Sequence, residues 1–307
     1  MPPARNILLF HAGALGDFVV TWPLALALAR LHPQSRLFYV TQKSKGALAE
    51  RVLHVESADA DAGWHALYAA GASGLGEAQA KLLAGAHSVV SFVAEHRDTW
   101  TANARKLAPA AELLPMTVSP PPDFAGHVTD HLLSQLAAWP AAQASLAQLL
   151  RSVASRGVLA RAAPRAGSVI IHPGSGARRK CWAAERFLQL IQRLRSEEKD
   201  VRVLVGEVEL EQWRPAELSR FASAAQVLKP ATYVELLDQL KGAAAFVGND
   251  TGPSHLAAII GVPTVALFGP SNPIHWRPLG PAVAVIHSPV IDGIEVERVY
   301  QELKHLI

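Results

Sequence analysis

The sequence predicts an α/β protein made of two Rossmann-like domains, each a doubly wound parallel sheet, facing one another across a cleft. Three observations carry that expectation. The chain has 307 residues, long for one domain when domains run to about 100–200 residues. Short apolar runs alternate with segments of helical spacing, the order that builds a parallel sheet covered by helices. That alternation pauses in a Pro/Ala-rich and then polar stretch and restarts near residue 168 without any sequence repeat. Half of the residues are apolar and 18% are charged, which suits two sizeable cores and argues against extended disorder.

In chain order, residues 7–10 read as a buried strand, 11–17 as a loop, 18–31 as a helix and 37–41 as a second strand. Residues 87–93 are a further strand and 128–138 a helix. The segment 109–126 is rich in Pro and Ala, and 141–165 reads as an Ala/Leu/Arg helix running into a polar connector. The domain boundary is placed there, giving domains 1–164 and 165–307. The second domain opens with a strand at 168–171, a loop at 172–181 and a helix at 184–195. Strands at 201–205, 244–247 and 264–268 follow, with helices at 234–241, 252–260 and 294–306.

Composition excludes several classes. A single cysteine, Cys181, rules out an internal disulfide and a cysteine-based metal cluster. The first apolar run is too short for a signal-peptide core. The longest, 256–268, is interrupted by Gly261 and Pro263 and falls short of the ~20 residues of a membrane span. The expectation is a soluble, cytoplasmic chain. A net charge of +3 suits phosphate-bearing ligands or an anionic membrane surface. No Lys/Arg block interleaved with aromatics points to nucleic acid.

Three loops could carry chemistry, each set between a strand and a helix. The first is Gly13-Ala14-Leu15-Gly16-Asp17. Gly13 and Gly16 let a ligand approach the backbone, and Asp17 reads either as a helix N-cap or as a general base at the carboxyl end of a parallel strand. Two glycines at this spacing do not make a dinucleotide fingerprint, which disfavours a Rossmann oxidoreductase. The second loop runs from His172 to Trp182, with Ser175 and Gly176 followed by Arg178, Arg179 and Lys180. Backbone N–H groups plus a cation suit a diphosphate, and a solvated basic loop is the plainer reading. It is not a Walker A loop, because Arg rather than Gly precedes Lys180. The third is Gly248-Asn249-Asp250-Thr251-Gly252-Pro253-Ser254-His255. There a helix N-terminus could hold phosphate while Asp250 holds sugar hydroxyls or simply caps the helix. Ser254 and His255 are adjacent and cannot form a triad pair. Asp59 and Asp61 form Asp-Ala-Asp in a polar stretch away from any expected strand end and read as surface, so no metal site is expected.

The run from Gly248 to Pro273, with Trp276 and Pro278 after it, resembles the signature of glycosyltransferase family 9, the ADP-heptose:lipopolysaccharide heptosyltransferases. The first two loops are similar to that family's other motifs, in the same order. The resemblance is strong over about a quarter of the chain and implies the GT-B architecture, with a last helix crossing back to the first domain. By the resemblance, Asp17 is the catalytic base, with Gly13 and Gly16 on the acceptor side. Ser175, Gly176 and Lys180 contact the donor diphosphate. Asp250, Thr251 and Gly252 hold donor phosphate and sugar with His255 nearby, and Glu209 stands at the nucleotide ribose. His11 departs from the family, where another polar or basic residue is common, and residues 95–126 align with no motif.

The implied reaction is inverting transfer of a heptose or related sugar from a nucleotide-diphospho-sugar, ADP-heptose by resemblance, to a lipopolysaccharide-core or related glycan acceptor. It needs neither cofactor nor metal. A glycolipid acceptor would imply peripheral contact with the inner face of the cytoplasmic membrane. The rival expectations are a GT-B sugar-nucleotide epimerase or hydrolase, and a non-catalytic nucleotide-sugar binding protein.

Overall fold

The computed structural model describes residues 6–159 and 167–307, and the chain divides into two compact units, Met1–Leu150 and Arg151–Ile307. The boundary expected at 164/165 lies outside the described residues. The first unit contains β1 (Asn6–Phe10), α1 (Leu15–Val20), α2 (Trp22–Leu31), β2 (Arg36–Thr41), α3 (Lys43–Leu53) and β3 (Glu56–Asp59). It continues with α4 (Glu77–Ala84), β4 (Ala86–Ser91), α5 (Thr99–Leu107), β5 (Glu112–Pro115) and α6 (Val128–Gln135). The division falls within α7 (Pro140–Arg156).

All strands of the first sheet are parallel, in the order β3-β2-β1-β4-β5. Ile7, Leu8 and Leu9 of β1 are completely buried, as expected of a central strand covered on both faces. The helix expected over 18–31 is two helices meeting at Thr21. Pro23, at the second position of α2, has no N–H to donate back to Val19, so the α1 ladder ends there. Thr21 fills the junction, donating to the Phe18 carbonyl (2.7 Å) and meeting the Tyr39 hydroxyl (2.9 Å). Helix α1 also begins earlier than expected, with Ala14 as its N-cap.

One reading is corrected here. Asp59 is the last residue of an edge strand, β3, which runs beside β2. The strand was not visible because Glu-Ser-Ala-Asp has no apolar alternation; backbone pairing with β2 alone makes it. The Asp59 carboxylate accepts from the Asp61 backbone N–H in a local turn.

The second unit contains β6 (Ser168–His172), α8 (Ala184–Ser196), β7 (Val201–Leu204), α9 (Glu207–Gln212), α10 (Pro215–Ala224) and β8 (Gln226–Leu228). It closes with α11 (Tyr233–Lys241), β9 (Ala243–Asn249), α12 (Gly252–Ile259), β10 (Thr264–Phe268), α13 (Pro273–Trp276), β11 (Val283–His287) and α14 (Val296–Leu306). Its strands are again all parallel, ordered β11-β10-β9-β6-β7-β8. The last helix, which the resemblance sends back to the first domain, places Val299, Tyr300 and Leu303 in the second unit's own core with Ile171, Val247 and Val265.

This topology explains where chemistry gathers. In an open parallel sheet, loops on either side of the point where strand order reverses diverge and leave a crevice at the carboxyl ends of the strands. In the first sheet that point lies between β1 and β4; in the second it lies between β6 and β9. The three loops singled out from sequence follow β1, β6 and β9. None of the described helices is long and apolar enough to cross a membrane.

Candidate functional site

Asp17 is the third residue of α1, so the N-cap reading is wrong; Ala14 occupies that position. The carboxylate lies in the first helical turn, where negative charge is favoured. Gly13 is tightly placed: a Cβ there would lie 3.0 Å from His11 Cε1 and 3.2 Å from Asp17 Oδ2. Gly16 sits beside Asp17 within α1. His11, directly after β1, is 1% exposed. Burial, and secondarily the charge of Lys45, push its imidazole down to about 3, so the ring is neutral at physiological pH.

In the second unit, β6 and β9 are neighbours, and their loops meet. Lys180 Nζ donates to Asp250 Oδ2 at 2.9 Å, and His255 Nε2 stands 3.7 Å from Asp250 Oδ1. Asp250 is 9% exposed. Burial opposes its charge, but His255, Lys180 and Ser271 outweigh it and hold the carboxyl near 2. Asp250 is therefore a fixed anion with its own cation beside it. It is not the helix cap: Thr251 caps α12, and its hydroxyl donates to the Asn249 carbonyl at 3.3 Å. Gly252 opens the helix and Pro253 follows it, so Pro253 contributes no N–H there.

Of the three consecutive cations only Lys180 turns inward. Arg178 pairs with Glu217 at 3.5 Å, and Arg179 is exposed. The plainer reading as solvated charge holds for those two. Ser175 is buried, with its hydroxyl 3.5 Å from the Ala177 N–H. At Gly176 an added Cβ would meet nothing within 4 Å, so that stretch of backbone faces open space.

Glu209 comes to the same loop but faces inward. It is 3% exposed, and its Oε2 accepts from the Gly206 N–H at 2.8 Å, closing the first turn of α9. A Cβ on Gly174 would lie 1.9 Å from Glu209 Oε1. Only glycine lets the loop lie on that carboxylate. His172 is buried beside it. Burial keeps this imidazole below its usual value, although the Glu209 charge and the Leu204 carbonyl work the other way.

Four residues outside the predicted site set surround these loops. Asn249 is fully buried and ties the second loop to the third: its Nδ2 donates to the carbonyls of Pro173 and Gly174 (3.0 Å each), and its Oδ1 accepts from the Trp182 N–H (3.0 Å). Trp182, at the end of the second loop, is buried and donates its indole N–H to the Ile294 carbonyl at 2.9 Å. Ser271, in the loop after β10, the next strand over from β9, lies near enough to Asp250 to favour its charge, although its own hydroxyl makes no hydrogen bond. Lys45 enters the first unit's loop from α3. Strand register was the missing signal, since it alone says which neighbouring loops converge. Among the described residues, no three His, Cys, Asp or Glu side chains are gathered as a metal ion would need.

The model of glycosyltransferase family 9 (heptosyltransferase) matches residues 80–305. The chain belongs to this family. The matched span contains the second and third loops and leaves Asp17 outside it. Lipopolysaccharide heptosyltransferase 1 of Pseudomonas aeruginosa is 35% identical over 115 residues, 38% of this chain and 32% of that protein. The chain thus aligns with about a third of that relative's length. Among solved structures, a family 9 glycosyltransferase from Veillonella parvula is similar over 100% of this chain and 98% of its own, with a TM-score of 0.70 at 18% identity. The E. coli heptosyltransferase WaaC with ADP is similar over 99% of this chain and 100% of its own, with a TM-score of 0.66 at 15% identity. The fold of this family 9 chain is accordingly GT-B.

Proposed function

We propose that this chain is an inverting glycosyltransferase that moves a heptose from ADP-heptose to a hydroxyl of a lipopolysaccharide-core or related glycan. The observation that carries the donor half is the ion pair of buried Asp250 with half-buried Lys180 beside the start of α12, at the switch point of the second sheet. A pocket with a fixed anion, a cation and the positive end of a helix suits a sugar hydroxyl and a diphosphate side by side. Family membership and the ADP bound to WaaC, a similar fold, support the adenine nucleotide and the heptose.

In this reading Asp17 takes the proton of an acceptor hydroxyl. The freed oxygen attacks the anomeric carbon of the donor while that carbon's bond to the diphosphate breaks. Lys180 and the first turn of α12 receive the developing charge on the departing ADP, with Ser175 and Gly176 lining the phosphates. Asp250, Thr251 and His255 orient the sugar. Glu209 shapes the nucleotide side by supporting the backbone at Gly174. No metal or cofactor is required, because a cation and N–H donors meet the leaving group's charge. A lipid-borne acceptor would bring the chain to the inner face of the cytoplasmic membrane.

Calorimetric binding of ADP-, UDP-, GDP- and CMP-sugars, followed by nucleotide release with and without a heptose-accepting glycolipid, tests this. Selective ADP-heptose binding and acceptor-dependent release are expected. Acceptor-independent release would favour an epimerase or hydrolase, and tight binding without turnover a binding protein.

A further inference from the structure

Lys45 is a buried cation that the proposed reaction leaves without a task. It occupies the first turn of α3, is 4% exposed, and its Nζ donates to the Gly13 carbonyl at 2.5 Å. That is an awkward place for a cation. The first turn of a helix repels positive charge, and α3 carries no acidic residue there. A buried ammonium is costly unless other groups compensate it. What compensates it is the base loop: the carbonyl of Gly13 and the charge of Asp17.

Strand pairing puts it there. β1 and β2 run parallel with Phe10 opposite Val40, and His11 continues the pairing by donating to the Val40 carbonyl at 3.0 Å. The helix following β2 therefore starts beside the loop following β1. Among the groups near the Asp17 carboxylate are Lys45 from α3 and, across Gly13, His11 from the end of β1. His11 cannot share the cationic role. It is buried, its Nδ1 has no hydrogen-bond partner, and burial with the neighbouring Lys45 charge keeps it neutral.

We propose that Lys45 is a positioning residue for Asp17: its ammonium ties the Gly13 carbonyl and brings a cation to the loop that carries the Asp17 carboxylate. This rests on the reading of Asp17 as the base.

The test compares Lys45→Met, Lys45→Gln and Lys45→Arg with the full-length chain. Carbon-13 NMR of the Asp17 carboxyl, which needs no turnover, should show its titration midpoint rising by about one pH unit in Lys45→Met, the usual scale for losing an adjacent opposite charge. The acid limb of kcat/KM should move up with it, and calorimetric ADP affinity should stay unchanged. Lys45→Gln keeps a donor for Gly13 without charge and should shift the midpoint equally; Lys45→Arg should restore it. An unmoved midpoint in Lys45→Met and Lys45→Gln would overturn the role of Lys45 and leave the base assignment intact. Full turnover in Asp17→Asn would overturn the base assignment, and the role of Lys45 would fall with it.

Discussion

The loop after β1 and the paired loops after β6 and β9 occupy equivalent switch points of two similar sheets, yet they are held in opposite ways. In the second unit, Asp250 meets Lys180 and His255. Asn249 binds the two loops together through three buried hydrogen bonds. In the first unit one lysine from a neighbouring helix holds the loop at Gly13, and a buried imidazole beside it has an unpartnered nitrogen. A pocket for a highly charged ligand gains from groups fixed before binding, because reorganisation then costs little. In the proposed reaction Asp17 has to exchange a proton, which a carboxylate paired as Asp250 is would resist.

The widest separation between the two regions should come from Asp17→Asn. Removing a general base typically slows a reaction by roughly 10²–10⁴-fold, so transfer should fall by that much while calorimetric ADP affinity stays the same. Near-normal turnover would erase the division of labour. Next in size, Lys180→Ala should weaken ADP binding. The loss of a charge-assisted contact, about 1.5–3 kcal/mol, is roughly 10–100-fold in Kd, and unchanged affinity would remove Lys180 from the donor pocket.

Asn249→Ala probes the tie between the loops. It strands the buried carbonyls of Pro173 and Gly174 and the Trp182 N–H, each unsatisfied group costing about 1–3 kcal/mol before relaxation or water entry. Urea unfolding of the second unit should show a loss of that order, with the first unit's transition unmoved.

The smallest effect concerns pH. His11 lies far below its ordinary 6.5, at about 3. Below pH 6.5 the unfolded chain therefore takes up a proton that the native chain refuses, and stability is lost as pH falls through that window. Asp250 works later: with its carboxyl moved from 3.8 to about 2, its contribution is intact above 3.8 and is lost only below it. Melting temperatures at pH 7, 5.5 and 4.5 should fall in the wild type and fall less in His11→Phe, which removes the proton acceptor. Equal slopes in both would show that His11 does not set this sensitivity.

Much of this was legible in one dimension. Apolar runs such as Ile7–Leu9 report central strands because a parallel sheet is covered on both faces, and glycine-rich turns between strand and helix mark the three loops. Other parts left no such mark. Strand β3 has no apolar pattern, and the break at Thr21 needs the geometry around Pro23 to be seen. The choice between cap and functional group at Asp17 and Asp250 stayed open, because Asp is a common N-cap and composition alone cannot say that Ala14 and Thr251 take those positions.

The sequence by itself determined two parallel-sheet units, a family, and the residue types at each strand end, since these depend on local periodicity and on contiguous motifs. Only the tertiary structure decided which charges meet. Lys180 and Asp250 are seventy residues apart in the chain, and Lys45 reaches Gly13 across thirty-two. Those meetings are set by which strands lie side by side and in what register, a property of long-range backbone pairing that no single segment encodes.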